Sequence, residues 1–222
     1  MKVKIIGHRG SVINGEENTL SAFEVAYNSG LKWVETDLRL TADNKIVLNH
    51  DSFNSGKEIS LNTVEILKKN SSNKLITLNE LLNKYTGKLN FDLDIKDSRV
   101  FQFLPEIIQH YSITKNILIS SFDHATLNTF AMSNKSIQCA PIIASRPYSI
   151  QSIIQNIPFP FKKIIADADF CDQDMVKEFK KNEISVWLYS INSKDQAERF
   201  TKFGVSGLFI NDPATFLNYP YN

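Results

Sequence analysis

Short apolar runs alternate with amphipathic stretches along almost the whole chain. Residues 2–7 read as a strand that ends at His8-Arg9-Gly10, followed by a polar loop over 11–17 that contains Asn14-Gly15. Leu20, Phe23 and Tyr27 recur at helical spacing behind Thr19, which predicts a capped helix over 20–29 stopped by Gly30. A strand is predicted over 32–40, a turn over 41–44 and a returning strand over 45–49. Residues 52–73 are polar, with a weak helix near 63–69, and read as a surface excursion over the open end of the fold. A helix over 78–85 leads to a strand over 88–96 with strict alternation, so that Asn90, Asp92, Asp94 and Lys96 share one face. Helices are then expected over 101–111, 125–132, 150–156, 173–181 and 194–203. They separate strands over 116–121, 137–143, 163–168, 185–191 and 206–211, the last ended by Asp212-Pro213.

Without the returning arm there are eight strands, nearly all separated by helices. That alternation predicts parallel pairing and an α/β (β/α)8 TIM barrel, built as one domain over 1–222 with a short insertion at about 51–76 after a β-hairpin. An open doubly wound sheet is the competing architecture, and the lack of a glycine-rich loop after the first strand argues against it.

The stretch from Trp33-Val34-Glu35-Thr36-Asp37 to Asn49-His50-Asp51 carries the densest chemistry. Glu35 and Asp37 are two residues apart in a strand, so they project together. Two acids on one buried face need a cation or a proton. A turn centred at Ala42-Asp43 sets Glu35 opposite His50, and one centred at Asp43-Asn44 sets Asp37 opposite His50. Either register puts His50 beside the acids, whereas a slip of one residue would not.

Composition narrows the reading further. A net charge of +1 gives no bulk attraction to nucleic acid or anionic membrane. The first apolar run is too short for a leader or a spanning helix, so no stable membrane insertion is expected. Cys139 and Cys171 have neither metal-ligand nor disulfide-framework spacing and read as buried thiols in a cytoplasmic protein.

In a barrel, reactive groups gather at the C-terminal ends of several strands. Here those ends carry His8-Arg9, then Glu35 and Asp37, then Asp94 and Lys96, then Tyr189 and Asn192. Glu35, Asp37 and Asp94 form an all-oxygen set suited to Mg²⁺ or Ca²⁺. Arg9 and Lys96 suit a phosphate. His8 and His50 titrate near neutrality and suit proton transfer. Asp92 lies one layer deeper, either as a fourth ligand or as a hydrogen-bonding residue. Trp187 and Phe209 read as core, and His110 and His124 as structural.

The chain resembles the glycerophosphodiester phosphodiesterases, metal-dependent phosphodiesterase barrels. The resemblance covers nearly the whole length. It rests on His8-Arg9-Gly10, Glu17-Asn18-Thr19 with Ala22-Phe23 and Gly30, Glu35-x-Asp37, Thr41-x-Asp43, His50-Asp51, Asp94-Ile95-Lys96, Ser121-Phe122, Asn192, Gly204-Val205-x-Gly207 and Asp212-Pro213. It implies His8 and His50 as general acid and base, Glu35, Asp37 and Asp94 as metal ligands, and Arg9 and Lys96 as phosphate contacts, with Glu17 beside them. It further implies hydrolysis of a small glycerophosphodiester to glycerol 3-phosphate and an alcohol through attack by the substrate's own 2-hydroxyl. Asp94 stands where the family has Glu, Tyr189 where Trp is common, Asn211 where Thr is common, and the segment after Asp51 lacks the family's arginine-threonine motif. Lysophospholipids or polyol-phosphate diesters are the alternative substrates, and a non-catalytic phosphoester-binding barrel is the alternative to an enzyme.

Overall fold

The computed structural model describes residues 3–13, 15–71, 74–156 and 161–216. Lys2, Asn14 and residues 72–73 of the insertion fall outside them. The strands are β1 (Lys4–Gly7), β2 (Trp33–Leu40), β3 (Ile46–Leu48), β4 (Phe53–Asn54), β5 (Lys57–Glu58), β6 (Asn90–Ile95), β7 (Ile117–Ser121), β8 (Gln138–Ile143), β9 (Lys163–Asp167), β10 (Ser185–Ile191) and β11 (Gly207–Ile210). The helices are α1 (Leu20–Asn28), α2 (Val64–Asn70), α3 (Leu78–Tyr85), α4 (Leu104–Tyr111), α5 (His124–Ser133), α6 (Ile150–Asn156), α7 (Gln173–Lys181) and α8 (Lys194–Phe203). Eight strands, in the order β1-β11-β10-β9-β8-β7-β6-β2, pair in parallel and close through β1–β2, forming the TIM barrel that the alternation predicted.

Local chemistry sets the element ends. Thr19, Thr63, Thr77, Asp123, Asp172 and Ser193 each cap a helix by accepting from a backbone N–H of its first turn, and Thr77 and Glu80 form a reciprocal capping box. The helix expected from residue 101 starts later, at Leu104, because Pro105 lies in its first turn and Ser98–Gln102 form a separate 3-10 turn capped by Asp97.

Helices bury their apolar faces against the outside of the sheet, while Ile6, Leu118, Ala140, Ile142, Ile165, Trp187 and Phe209 form a second cluster. The alternation of each strand puts this second cluster on the barrel's inner face. Trp187 fits there only because position 207 has no side chain: a Cβ on Gly207 would lie 2.5 Å from the indole. No helix among the described residues is long and apolar enough to cross a membrane.

The ribbon differs from expectation by one residue. Leu38 pairs with Leu48, Arg39 with Val47 and Leu40 with Ile46, a register that would set Thr36, not an acid, opposite His50. The ladder stops at Leu48, however, and Asn49 N–H donates to the Asp37 carbonyl at 3.0 Å as its last bond. His50 lies in the bend beyond, so its direction is set by the chain's exit from the strand and not by strand alternation.

The insertion is more ordered than its polarity suggests. β4 and β5 form a hairpin through Ser55-Gly56, both at positive φ. Ile59, Leu67 and Leu75 bury themselves against Val47. Val47 pairs with Arg39, on the ribbon face that continues the barrel's interior, which places this small core on the mouth side.

Candidate active site

One edge of β2 gathers much of the site. β1 covers its lower part, pairing Ile6 with Trp33 and Gly7 with Val34. β1 then ends, and the His8–Gly10 turn takes over: Gly10 N–H donates to the Glu35 carbonyl at 3.1 Å and Arg9 N–H to Glu35 Oε2 at 2.8 Å. Asn49 and β3 cover the rest. Both histidine-bearing segments are thus fastened to the strand that carries the acids. Gly10 has φ +79°, and a Cβ there would sit 2.9 Å from the Ala22 backbone, so the turn fits against α1 only as glycine.

Across the other edge of β2, Glu35 is in register with Asp92 and Asp37 with Asp94. Oxygens of Glu35, Asp37 and Asp94 lie within 4.8 Å of one another, and all three residues are buried. With His8, Arg9, His50, Asp92, Lys96 and Tyr189 they line a cavity of about 200 Å³. Ser120, Phe122, Ile142, Ile165, Ser190 and Phe209 complete the wall. Two expected residues stand behind it: Glu17 receives both 2.8 Å bonds from Arg9 Nη1, and Asn192 accepts from Asn211 Nδ2 at 2.7 Å.

Lys96 Nζ lies 2.6 Å from Asp94 Oδ2 and 3.3 Å from Asp37 Oδ1. Arg9 Nε approaches Asp37 Oδ2 at 3.2 Å, within ion-pair range but without hydrogen-bond alignment. Burial pushes Asp37 up, but Lys96 and Arg9 outweigh it and hold the carboxyl below its usual range. The other acids go the opposite way. Burial, reinforced by Asp37 and Asp94, raises Glu35 well above the ordinary value. Asp94 is pushed by burial, against Lys96, up to about 7, and Asp92 to about 8 despite a 2.8 Å bond from Ser120 Oγ. Asp94 Oδ1 and Asp92 Oδ2 are buried with no hydrogen-bond partner.

These orphaned oxygens test the fit of a metal. The cavity holds four carboxylates against two fixed cations, Arg9 and Lys96, a formal excess of two negative charges. A site with that balance repels an anionic ester and strains its own acids. An all-oxygen set with an unpartnered Asp94 atom fits a hard divalent cation held by Glu35, Asp37 and Asp94.

Around the histidines the hydrogen bonds fix the tautomers. Asn211 donates its amide to Asn192, so its Oδ1 faces His8 Nδ1, 2.7 Å away, and accepts that proton. His8 Nε2 is left bare, 3.8 Å from Glu35 Oε2. Burial holds His8 below its ordinary value against the opposing bond to Asn211, so the ring stays neutral. His50 Nδ1 is 2.8 Å from Asp51 Oδ1.

Sequence reasoning gave no role to Asn18, Asn211, Ser120 or Ser190. Asn18 is buried at φ +54°, donates to Asp37 Oδ2 at 2.8 Å and accepts from Thr36 Oγ1 at 2.7 Å. Ser190 Oγ lies 3.3 Å from His8 Nδ1. Position at a strand's C-terminal end was a usable signal for Ser120, Ser190 and Asn211; nothing in the spacing pointed Asn18 inward.

The sequence profile of the Glycerophosphoryl diester phosphodiesterase family matches residues 8–215. A glycerophosphodiester phosphodiesterase of Caldanaerobacter subterraneus subsp. tengcongensis is 27% identical across 98% of both chains, and one of Bacillus altitudinis 26% identical across 95% of each. The crystal structure of a glycerophosphodiester phosphodiesterase from Thermotoga maritima matches with a TM-score of 0.83 at 25% identity, covering 97% of each chain. An Oleispira antarctica phosphodiesterase, solved in complex with the product sn-glycerol-3-phosphate, gives a TM-score of 0.84 at 22% identity over 96% of this chain and 94% of that one. With a profile match spanning nearly the full length and a barrel of the same architecture, the chain belongs to the glycerophosphoryl diester phosphodiesterase family of phosphodiester hydrolases.

Proposed function

We propose that the protein is a divalent-metal-dependent phosphodiesterase that cleaves small glycerophosphodiesters to glycerol 3-phosphate and an alcohol, with His8 and His50 as the proton-transfer pair. The observation that carries this reading is the convergence of two imidazoles on a three-carboxylate cluster in one cavity. Glu35, Asp37 and Asp94 hold the cation, Mg²⁺ or Ca²⁺, which when bound supplies positive charge to the phosphate oxygens.

The protein's own groups account for the rest. Lys96 and Arg9 orient the phosphate and balance charge as it builds on the equatorial oxygens. His8, neutral and with its Nδ1 proton committed to Asn211, takes the proton of the substrate's 2-hydroxyl at Nε2 as that oxygen bonds to phosphorus. His50, whose Nδ1 is tied to Asp51, gives a proton from Nε2 to the leaving alcohol oxygen as its bond to phosphorus breaks. In the second half His50, now neutral, takes a proton from the water that bonds to phosphorus, and His8 returns its proton to the 2-oxygen as that oxygen's bond to phosphorus breaks. Phe122, edge-on to Tyr189 at 6.4 Å, forms an apolar wall for the alcohol. We place the reaction in the cytoplasm, a reading supported by two free, buried cysteines whose thiols burial pushes up to about 12.

Release of glycerol 3-phosphate from glycerophosphocholine with and without divalent cation tests the reading. His50→Ala is expected to lower kcat by ~10²–10⁴, and a loss under about tenfold overturns its role. The second reading, a lysophospholipid substrate, draws on the exposed ring of Phe122 at the cavity wall. A strong preference for lysolipids over water-soluble diesters would establish it in place of the first.

A further inference from the structure

Because the β2–β3 ladder ends at Leu48, no strand pairing holds the backbone of His50. Arg39 takes over that task. Its Nε and Nη2 both donate to the His50 carbonyl, at 2.8 and 2.7 Å. Arg39 extends from β2, two residues beyond Asp37 and on the same face as Glu35 and Asp37. Among the ion pairs of the described residues Arg39 has none, although Arg9 and Arg99 each hold a carboxylate. Asp97, Asp37, Asp51 and Asp94 surround the guanidinium, yet it forms an ion pair with none of them. Its two aligned donors go instead to a single peptide oxygen.

We propose that Arg39 is the positioning residue for His50. The fork fixes the peptide plane that follows His50, and with it the direction in which the imidazole leaves the bend. One strand therefore sets both the spacing of Glu35 and Asp37 and, through Arg39, the place of the proton donor above them. The inference rests on the role given to His50 in the proposed function. It assigns Arg39 no contact with substrate.

A double-mutant cycle tests it, with glycerophosphocholine as substrate and the folded state checked by thermal melting. Arg39→Met is expected to lower kcat by roughly 10- to 100-fold, since a displacement on the order of 1 Å costs about that much, and to leave KM within about threefold. Arg39→Lys, able to give one of the two bonds, is expected to fall between Arg39→Met and the wild type. In the His50→Ala background Arg39→Met is expected to add less than about a threefold loss, because the group it positions is gone. Three results overturn the inference: an undiminished kcat in Arg39→Met, an equal further loss in the His50→Ala background, or a rise in KM with kcat unchanged, which would put Arg39 on the substrate. A small effect of His50→Ala itself is a different failure, that of the underlying proton-transfer role, and the single variant reports it separately. If Arg39→Met melts below the assay temperature, Arg39→Lys and its combination with His50→Ala carry the same comparison.

Discussion

Adding a divalent cation should stabilise this protein, and more so at high pH. Without a cation two acids of the cavity hold their protons to higher pH than free carboxyls do: Asp94 is raised from 3.8 to about 7, and Glu35 is raised as well, whereas Asp37 stays ionised beside Lys96 and Arg9. A carboxyl whose pKa is higher in the folded state favours folding below its unfolded value and loses that advantage as pH rises through the folded value. For Asp94 the loss therefore runs from about pH 4 to about pH 7, with an upper bound on the order of 4 kcal/mol at ~1.4 kcal/mol per pKa unit. A cation on Glu35, Asp37 and Asp94 reverses the sign, because it needs the acids ionised. At a hundred times its Kd the cation adds ~2.7 kcal/mol, which for a chain of this size raises Tm by ~5–11 °C. Differential scanning calorimetry at pH 5.5 and pH 8, with EDTA or with saturating Mg²⁺ or Ca²⁺, measures both effects. The EDTA form should melt lower at pH 8 than at pH 5.5, and the cation-induced rise should be larger at pH 8. Glu35→Gln combined with Asp94→Asn should abolish the rise. The reasoning is refuted if neither cation shifts Tm at pH 8, or if the doubly substituted protein keeps the shift, which would place the cation elsewhere.

Two stability predictions follow from single contacts. Lys96→Met removes a cation 2.6 Å from Asp94 and 3.3 Å from Asp37 with a side chain only 12% exposed, so at pH 8 in EDTA it should cost ~3 kcal/mol by urea denaturation; a cost under ~1 kcal/mol, the scale of an exposed pair, would show that the pair is solvated. Gly10→Ala combines a left-handed φ with a 2.9 Å approach to the Ala22 backbone, whereas Gly15→Ala, at φ +74°, meets nothing within 4 Å. The first should therefore cost well over the ~1–2 kcal/mol of conformational strain expected for the second, and equal costs would remove the packing argument for the His8-Arg9-Gly10 turn.

Several structural features could be read from residue spacing because each depends on local rules. Period-two alternation placed Asp92 and Asp94 on one inner face, and the helices expected from residues 78, 173 and 194 start there, where the structure adds their caps Thr77, Asp172 and Ser193. The resemblance in sequence carried the family. What spacing could not supply was tertiary. Asn18 sits in a loop 19 residues from Asp37, and only the closure of β1 against β2 brings its amide to that carboxylate. Asn211 reaches His8 across 203 residues because the last strand pairs with the first. The Ser55-Gly56 hairpin, by contrast, was legible as a turn signal, and the polarity of its surroundings masked it.

The ribbon sharpens this distinction. Pairing His50 with an acid by register is a local argument, and the ladder slips it by one residue, setting Thr36 opposite. The histidine still reaches the cavity because the chain leaves the ladder at Leu48, and a bend is free of the alternation that would have turned the ring away. A bend, however, has no ladder to hold it to the accuracy that the proposed proton transfer requires. The strand that carries the acids meets that need by extending one more inward side chain, Arg39, to the His50 carbonyl. Residues 35, 37 and 39 of one alternating run thus do different work from one face: two gather charge, and the third fixes the backbone of the group that works beside it.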